Sequence, residues 1–169
     1  PRFNEEQANA LLDQNNWKRG DDGIRAKGDM VLEFTLLVPD WPELSKTADI
    51  LREQWGKVGA RVIVQVENAN DLQQNAIRPR EYQALLFGEA AMINSDPYSF
   101  WHSSQKNDPG LNLALFDNKD ADTALLSLRE ELNEEKRAEY YRSFQEILLK
   151  EHPAVFLYSP KYLFVINST

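Results

Sequence analysis

Residues 31–68 read VLEFTLLVPDWPELSKTADILREQWGKVGARVIVQVEN, and this stretch decides the fold class. Its first nine residues carry little polarity on either face, which is typical of a strand covered on both sides. A helical pattern follows, with Asp40 as the expected N-cap, Pro42 in the first turn and an apolar stripe that stops at Gly59. The alternating valines at 62–66 then predict a second strand. Strand, helix and strand joined by short connections predict a right-handed parallel βαβ unit.

The regions on both sides of this unit extend the same pattern. Towards the N-terminus, an amphipathic helix is expected behind Asn4, with a Gly- and Asp-rich turn region after it. Towards the C-terminus, a short polar helix is expected around residues 71–78. The sequence YQALLFGEA at 82–90 predicts a third buried strand. We expect it to join the same sheet in parallel orientation.

The last third of the chain predicts two helices and two strands. One helical stripe contains Leu125, Leu128 and Leu132, and a second helix starts behind Asn133. We expect these helices to pack as a pair against the sheet. The sequence PAVFLYSPKYLFVINST at 153–169 predicts two apolar strands broken at Ser159 and Pro160.

Length and composition favour one compact domain over residues 1–169. The order of the strand and helix patterns makes it an α/β domain, with a mainly parallel, or mixed, sheet flanked by helices. The chain has 169 residues, 42% of them hydrophobic, which is enough for one real core. A total of 27 acidic against 19 basic residues, without a basic cluster, argues against a nucleic-acid partner. The absence of cysteine excludes disulfides, thiolate zinc sites and thiol nucleophiles.

The segment NSDPYSFWHSS at 94–104 is the strongest candidate for a binding site. It follows the carboxyl end of the third predicted strand, where ligand crevices of open α/β sheets lie. The segment combines polar groups with flat apolar rings, and a peptide backbone or a sugar could contact both. The candidate ligand-binding residues in it are Asn94, Ser95, Asp96, Tyr98, Phe100 and Trp101. The alternative for Phe100 and Trp101, given equal weight, is a short helix that caps the core.

Catalytic chemistry has little support in the sequence. The chain has two histidines, and neither lies in an HExxH helix or beside a GxSxG elbow. His152 fits a helix end, where a cation complements the helix dipole, and Asp120 and Asp122 fit the first turn of a helix better than a metal site. These residues support no catalytic mechanism, and we expect no catalytic residue and no metal site. A small hydrolase that uses Asp96 and His102 stays as an alternative function, and so does a stand-alone interaction domain.

Several motifs in collinear order give the chain a family resemblance. They are DGIR (22–25), FGEA (87–90), DPYSFWHSSQ (96–105), GLN (110–112) and PAVFLYSP (153–160). In this order they resemble the family 5 extracellular solute-binding proteins, the oligopeptide, dipeptide and nickel receptors of ABC importers. The resemblance covers essentially the whole chain. Because the proteins of this family are longer, it implies most of a C-terminal lobe with a periplasmic binding protein-like fold, and residues 159–169 returning towards the hinge and the first lobe.

The resemblance implies a receptor that closes two lobes over its ligand, performs no catalysis and uses no cofactor. The implied ligand is a peptide or similar small solute, and the implied partners are the first lobe and the membrane subunits of an ABC importer. The implied location is periplasmic or extracellular, with or without a lipid anchor. Asn112 is expected to face the cleft, with a turn-closing role as its equally weighted alternative.

One position departs from the pattern of the peptide-binding members of this family. In those members an aspartate, three residues before an acidic-Pro pair, receives the amino terminus of the ligand. Asp96 and Pro97 match the acidic-Pro pair, whereas the place of the aspartate holds Ile93. An oligosaccharide, or a peptide held in another way, therefore stays open as the ligand.

Overall fold

The structure is a computed structural model that describes residues 3–90 and 96–161. Helix α1 (Glu5–Gln14) begins behind Asn4, whose side chain accepts a hydrogen bond from the Gln7 backbone, as predicted. Three short strands follow, β1 (Lys18–Arg19), β2 (Arg25–Lys27) and β3 (Met30–Val31), and they form a small antiparallel sheet. This sheet occupies most of the region expected to be turns.

A second sheet contains the βαβ unit. Strand β4 (Glu33–Pro39), helix α2 (Pro42–Lys57) and strand β5 (Arg61–Glu67) follow in order, and β4 pairs with β5 in parallel. Strand β6 (Ala84–Leu85) adds in parallel on the other side of β4, which gives the order β5-β4-β6. The parallel βαβ unit and the third parallel strand are therefore confirmed, although β6 is only two residues long.

The start of α2 differs from the prediction at one residue. Its N-cap is Trp41, in extended conformation, and no side chain caps the helix. Pro42 occupies the first turn and excludes the α conformation for the residue before it, so the helix begins one residue later than an Asp40 cap requires. The predicted end is confirmed, because Gly59 has a φ of +88° directly after the helix.

Helices cover both faces of the central strand. On one face, Ala48 of α2 packs against Leu36, Val38 and Val62. On the other face, helix α3 (Ala69–Leu72) continues into a π-helical turn (Gln73–Ile77), and its apolar side chains surround Leu37. The prediction that β4 is covered on both sides is thus confirmed.

A separate core lies in the C-terminal part of the chain. Helix α4 (Tyr98–Trp101) is followed by a 3₁₀ turn (Ser103–Gln105) and by the helices α5 (Lys119–Glu130) and α6 (Glu134–Glu151). Asn133 caps α6 as predicted, and α5 and α6 pack together. Their shared core consists of Trp101, Phe116, Ala121, Ala124, Leu125, Phe144 and Leu148. No described residue of the sheet belongs to that core, so the predicted packing of the helix pair against the sheet is wrong.

Two further predictions for the C-terminal part need correction. Leu132 lies in the connection between α5 and α6 and is 93% exposed, because α5 ends before the apolar spacing reaches it. Residues 153–158 form no strand, and Val155, Phe156 and Tyr158 are exposed. The remainder of the predicted return strand, residues 162–169, lies outside the described residues. None of the described helices combines the length and the apolar character needed to cross a bilayer.

Candidate functional site

Asp96 starts the predicted binding segment and is held by two groups of the protein. Its Oδ1 accepts a hydrogen bond from the Tyr98 backbone at 3.0 Å, and its Oδ2 lies 2.8 Å from Nε of Arg129 on α5. The Arg129 guanidinium also lies over the Tyr98 ring, 4.3 Å from its centroid. Both oxygens of Asp96 therefore have partners, and the residue ties the segment to α5.

The Tyr98 ring continues this contact chain to His102. The two rings stack with centroids 4.2 Å apart, and Ser104 Oγ lies within hydrogen-bond distance of both Tyr98 Oη and His102 Nδ1. Because the Ser104 backbone N–H donates to His102 Nδ1 at 3.1 Å, that nitrogen is an acceptor, and a neutral ring carries its proton on Nε2.

The pair of residues invoked for a hydrolase is not assembled among the described contacts. Asp96 is bound to Arg129, whereas His102 is bound to Ser104. The carboxylate nearest to His102 belongs to Asp122, 3.9 Å from Nε2 and therefore beyond hydrogen-bond distance. Asp122 itself accepts from the backbone and the hydroxyl of Ser103, which explains its place in the first turn of α5.

The aromatic residues of the segment divide between core and surface. Trp101 is 8% exposed and packs its ring against Phe116, Phe144 and Phe156, so its position matches the core alternative. Tyr98 and Phe100 pack at the edge of the same cluster and are only partly buried. These two rings are the members of α4 that keep area for a contact with another molecule. Asn94 and Ser95 lie outside the described residues.

Asn112 is fully buried and organises its own loop. Its amide nitrogen donates to the carbonyl oxygens of Trp101, His102 and Phe116, and its Oδ1 accepts from the Phe116 backbone. Gly110 lets the loop close, because a Cβ at that position would overlap the carbonyl oxygen of Gln105. This geometry corresponds to the turn-closing alternative, since Asn112 presents no surface to a ligand.

Two side chains outside the segment complete this frame. Arg80 has a positive φ of 62° and donates to the carbonyl oxygens of Lys106, Gly110 and Ile77. Tyr82 donates to the Leu113 carbonyl at 2.6 Å, and burial raises the pKa of its phenol. Sequence reasoning missed both residues, because nothing in their local pattern indicates a partner about 30 positions away.

An open cavity of about 480 Å³ lies beside the segment, between α4, α6 and residues 153–158. Its lining is mainly apolar and aromatic, with Glu89 and Gln145 as polar groups, a combination typical of small-molecule sites. Partial burial raises the pKa of the Glu89 carboxyl. The lining residues are Glu89, Pro97, Phe100, Trp101, Tyr141, Phe144, Gln145, Leu148, Leu149 and Phe156. The segment thus supplies Phe100 and Trp101 to a concave surface, together with residues that the sequence did not single out.

A second aromatic feature lies at the carboxyl edge of the parallel sheet. Trp41 follows β4 and Phe87 follows β6, and their ring centroids are 5.9 Å apart at an interplanar angle of 34°. Both rings are exposed, Trp41 by 43% and Phe87 by 38%. The rule about carboxyl ends that singled out residues 94–101 could have found this pair as well, had it been applied to each parallel strand.

Comparison with known proteins decides the family. The model of the bacterial extracellular solute-binding proteins, family 5, middle part, matches residues 1–111. The chain belongs to this family. Protein XP55 of Streptomyces lividans is 28% identical over 163 residues, which cover 94% of this chain and 29% of that protein.

Two solved structures of solute-bound proteins share the fold. NikZ from Campylobacter jejuni, in complex with Ni(L-His), is 26% identical with a TM-score of 0.82, over 90% of this chain and 31% of NikZ. The oligopeptide-binding protein AppA from Bacillus subtilis, in complex with a nonapeptide, is 24% identical with a TM-score of 0.82, over 90% of this chain and 31% of AppA. The α/β fold of a periplasmic binding protein is thereby confirmed. The chain spans about 30% of the length of these relatives.

Proposed function

We propose that the chain forms part of the substrate-binding protein of an ABC importer, and that this protein captures peptides or similar small solutes outside the cytoplasmic membrane without catalysis. Family membership supports the receptor class. AppA and NikZ, which share the fold, hold a nonapeptide and Ni(L-His) in their solved structures. The proposed partners are the membrane subunits of the importer and a first lobe that closes over the solute.

The observation that carries this proposal is an open, aromatic-lined cavity, bordered by the segment that follows the third parallel strand. Phe100 and Trp101 from the segment and Glu89 from the connection after β6 contribute to its wall. The apolar rings supply contact area for a solute, while hydrogen bonds to the Glu89 carboxylate and the Gln145 amide would orient it. A ligand seated there would still face water on its open side, so closure by a second lobe would supply the missing contacts and exclude water.

A peptide is the first choice of ligand, and an oligosaccharide is the second. The peptide is favoured because a relative of the same fold holds one. The oligosaccharide is favoured by Ile93, which stands where peptide-binding members of the family have an aspartate for the amino terminus. Asn94, Ser95, Asp96, Tyr98, Phe100 and Trp101 remain the proposed contact residues. Tyr98 and Phe100 are the first to test, because both combine a ring with partial exposure.

Mass spectrometry of solutes carried through purification by the full-length protein tests the ligand class. We expect co-purified peptides, and we expect ligand-stripped protein to gain thermal stability when the same peptides are added back. Phe100→Ala should weaken that binding, whereas Phe3→Ala, at an exposed phenylalanine of the N-terminal region, should leave it unchanged.

One result would change the proposed ligand, and two others would contradict the proposed receptor. If sugars co-purify, the proposed ligand is an oligosaccharide and not a peptide. If no small solute binds the full-length protein, the proposed receptor function is wrong. Turnover of an ester, amide or glycoside, lost in Asp96→Asn and His102→Gln, would establish the hydrolase instead.

A further inference from the structure

The rings of Trp41 and Phe87 form an aromatic pair that is open to solvent. Trp41 occupies the N-cap position of α2, and Phe87 lies two residues beyond β6. Their centroid distance of 5.9 Å is within the range of interacting rings. Neither residue belongs to the buried clusters that surround β4. The pair is therefore an exposed apolar surface held in place by the ends of two adjacent parallel strands.

The residues that directly follow the carboxyl ends of the three parallel strands carry only negative charge. Residues 39–43, 67–71 and 86–90 contain no lysine or arginine. Their acidic residues are Asp40, Glu43, Glu67, Asp71 and Glu89. Within residues 3–90 and 96–161, none of these carboxylates forms a salt bridge. The next basic residue along the chain after this edge of β4 is Lys46, one turn into α2.

From this juxtaposition we infer that Trp41 and Phe87 form a subsite for a cationic side chain of a bound peptide. An arginine or lysine of the peptide would lie on the indole of Trp41, between the carboxylates of Asp40 and Glu89. The inference rests on the proposed function, because it assigns a side-chain preference to the same receptor. A cation over an indole face gains electrostatic energy from the ring, and tryptophan is the ring that binds cations best. Arginine adds stacking of its planar guanidinium on the ring.

The aromatic pair and the open cavity are linked in two ways. Glu89, two residues after Phe87, lies in the cavity wall. In addition, Tyr158, at the end of the chain stretch that borders the cavity, shares a hydrogen bond of 3.1 Å with Thr47 in the second turn of α2. A peptide seated along the sheet edge could thus place one part in the cavity and a cationic side chain on Trp41.

Calorimetry on the full-length protein, stripped of ligand, tests the subsite. The probes are pentaalanine and its derivatives with a single arginine, norleucine or glutamate at each position. We expect at least one arginine peptide to bind about tenfold more tightly than its glutamate counterpart, with a preference that shrinks at high salt. Trp41→Leu should weaken that arginine peptide by roughly 2- to 30-fold and leave pentaalanine unchanged. Trp41→Phe should retain most of the preference.

A matched pair of charge variants separates the local carboxylate from the general negative charge of the protein. Asp40→Asn should reduce the preference for arginine over norleucine. Glu53→Gln, at an exposed position further along α2, should not. Thermal unfolding of each variant without ligand checks that the fold is retained.

The outcomes separate this inference from the proposed function. If peptides bind without regard to charge and Trp41→Leu changes nothing, the subsite is overturned while the receptor stands. If Trp41→Leu weakens pentaalanine as much as the arginine peptide, the ring pair serves closure of the cleft, and the cationic subsite is again overturned. If none of the peptides binds, the proposed peptide receptor and the subsite fail together.

Discussion

The guanidinium of Arg129 binds the carboxylate of Asp96, with Nε 2.8 Å from Oδ2. Helix α5 thereby fixes the first described residue of the proposed binding segment, and the same guanidinium covers the Tyr98 ring. Asp96 is one of the residues that the sequence singled out for ligand contact. In this structure its carboxylate is a tether, which orients the rings that follow it.

Loss of this tether should cost little stability. In Arg129→Met the ion pair and the cation–π contact are both removed, but Arg129 and Asp96 are 49% and 38% exposed, so water screens the pair. We expect the free energy of unfolding to fall by about 1 kcal/mol, measured by urea denaturation. The matched control is Arg52→Met, which removes an exposed ion pair with Asp49 on α2 and should cost about 0.5 kcal/mol or less. Equal losses in the two variants would show that the tether contributes nothing of its own.

Asn112 should matter for stability much more than for binding. Asn112→Ala leaves buried carbonyl oxygens and the Phe116 N–H without their partner, so we expect a loss of about 2 to 4 kcal/mol in the free energy of unfolding. Asn107→Ala, at an exposed position in the same loop, should change it by less than about 0.5 kcal/mol. Calorimetry should find the ligand affinity of folded Asn112→Ala within about threefold of the parent protein. A much larger loss of affinity would return Asn112 to the ligand site.

Gly110 and Gly56 offer a pair of glycine substitutions with opposite expected signs. In Gly110→Ala the new Cβ would overlap the Gln105 backbone. Backbone atoms cannot shift as easily as the end of a flexible side chain, so the midpoint of thermal unfolding should fall. In Gly56→Ala the Cβ lies in open space on α2, and the gain in helix propensity should raise that midpoint. Tolerance of Gly110→Ala without a loss would mean that this loop can open to admit a Cβ.

Local patterns predicted the elements that are determined by their own residues. The βαβ unit follows from the apolar spacing at 31–68, and Asn4 and Asn133 were identified as caps because a cap uses neighbours within three residues. The strand at 153–158 was wrong, since an apolar run does not reveal whether a partner strand exists. The contacts of Arg80 and the buried position of Asn112 could not be predicted from the sequence for a related reason. Their contacts join residues that are distant along the chain or depend on how a loop closes.

Asp13 should make stability depend on pH in the acid range. The hydrogen bond from the buried Arg25, at 2.6 Å, holds the pKa of the Asp13 carboxyl below its usual value of 3.8, and the charges of Lys18 and Arg19 act in the same direction. The folded value lies below the unfolded one, so this contribution is complete above about pH 3.8 and is lost as the pH falls through the folded value. Asp13→Asn should therefore unfold at lower urea than the parent at pH 6, and the two midpoints should converge in acid.

The control for this titration is Asp21→Asn, an exposed carboxylate in the neighbouring turn that takes part in no salt bridge between described residues. Its urea midpoint should follow that of the parent protein at each pH. A constant difference between Asp13→Asn and the parent from pH 6 into the acid range would mean that the charge of Asp13 does not contribute.

Strand β5 hydrogen-bonds to β4 on one side, and within the described part of the chain no strand pairs with its other side. Ile63 and Val66 on this strand are exposed. Among the described residues, the outer row of backbone donors and acceptors of β5 is thus unpaired and lies beside apolar side chains, and such an edge is a template for intermolecular pairing. The charges of Arg61 and Glu67 protect only the two ends of the strand. In concentrated solutions of the isolated 169-residue polypeptide, self-association should therefore begin at this margin, and a lysine in place of Ile63 is the substitution that would improve its solubility.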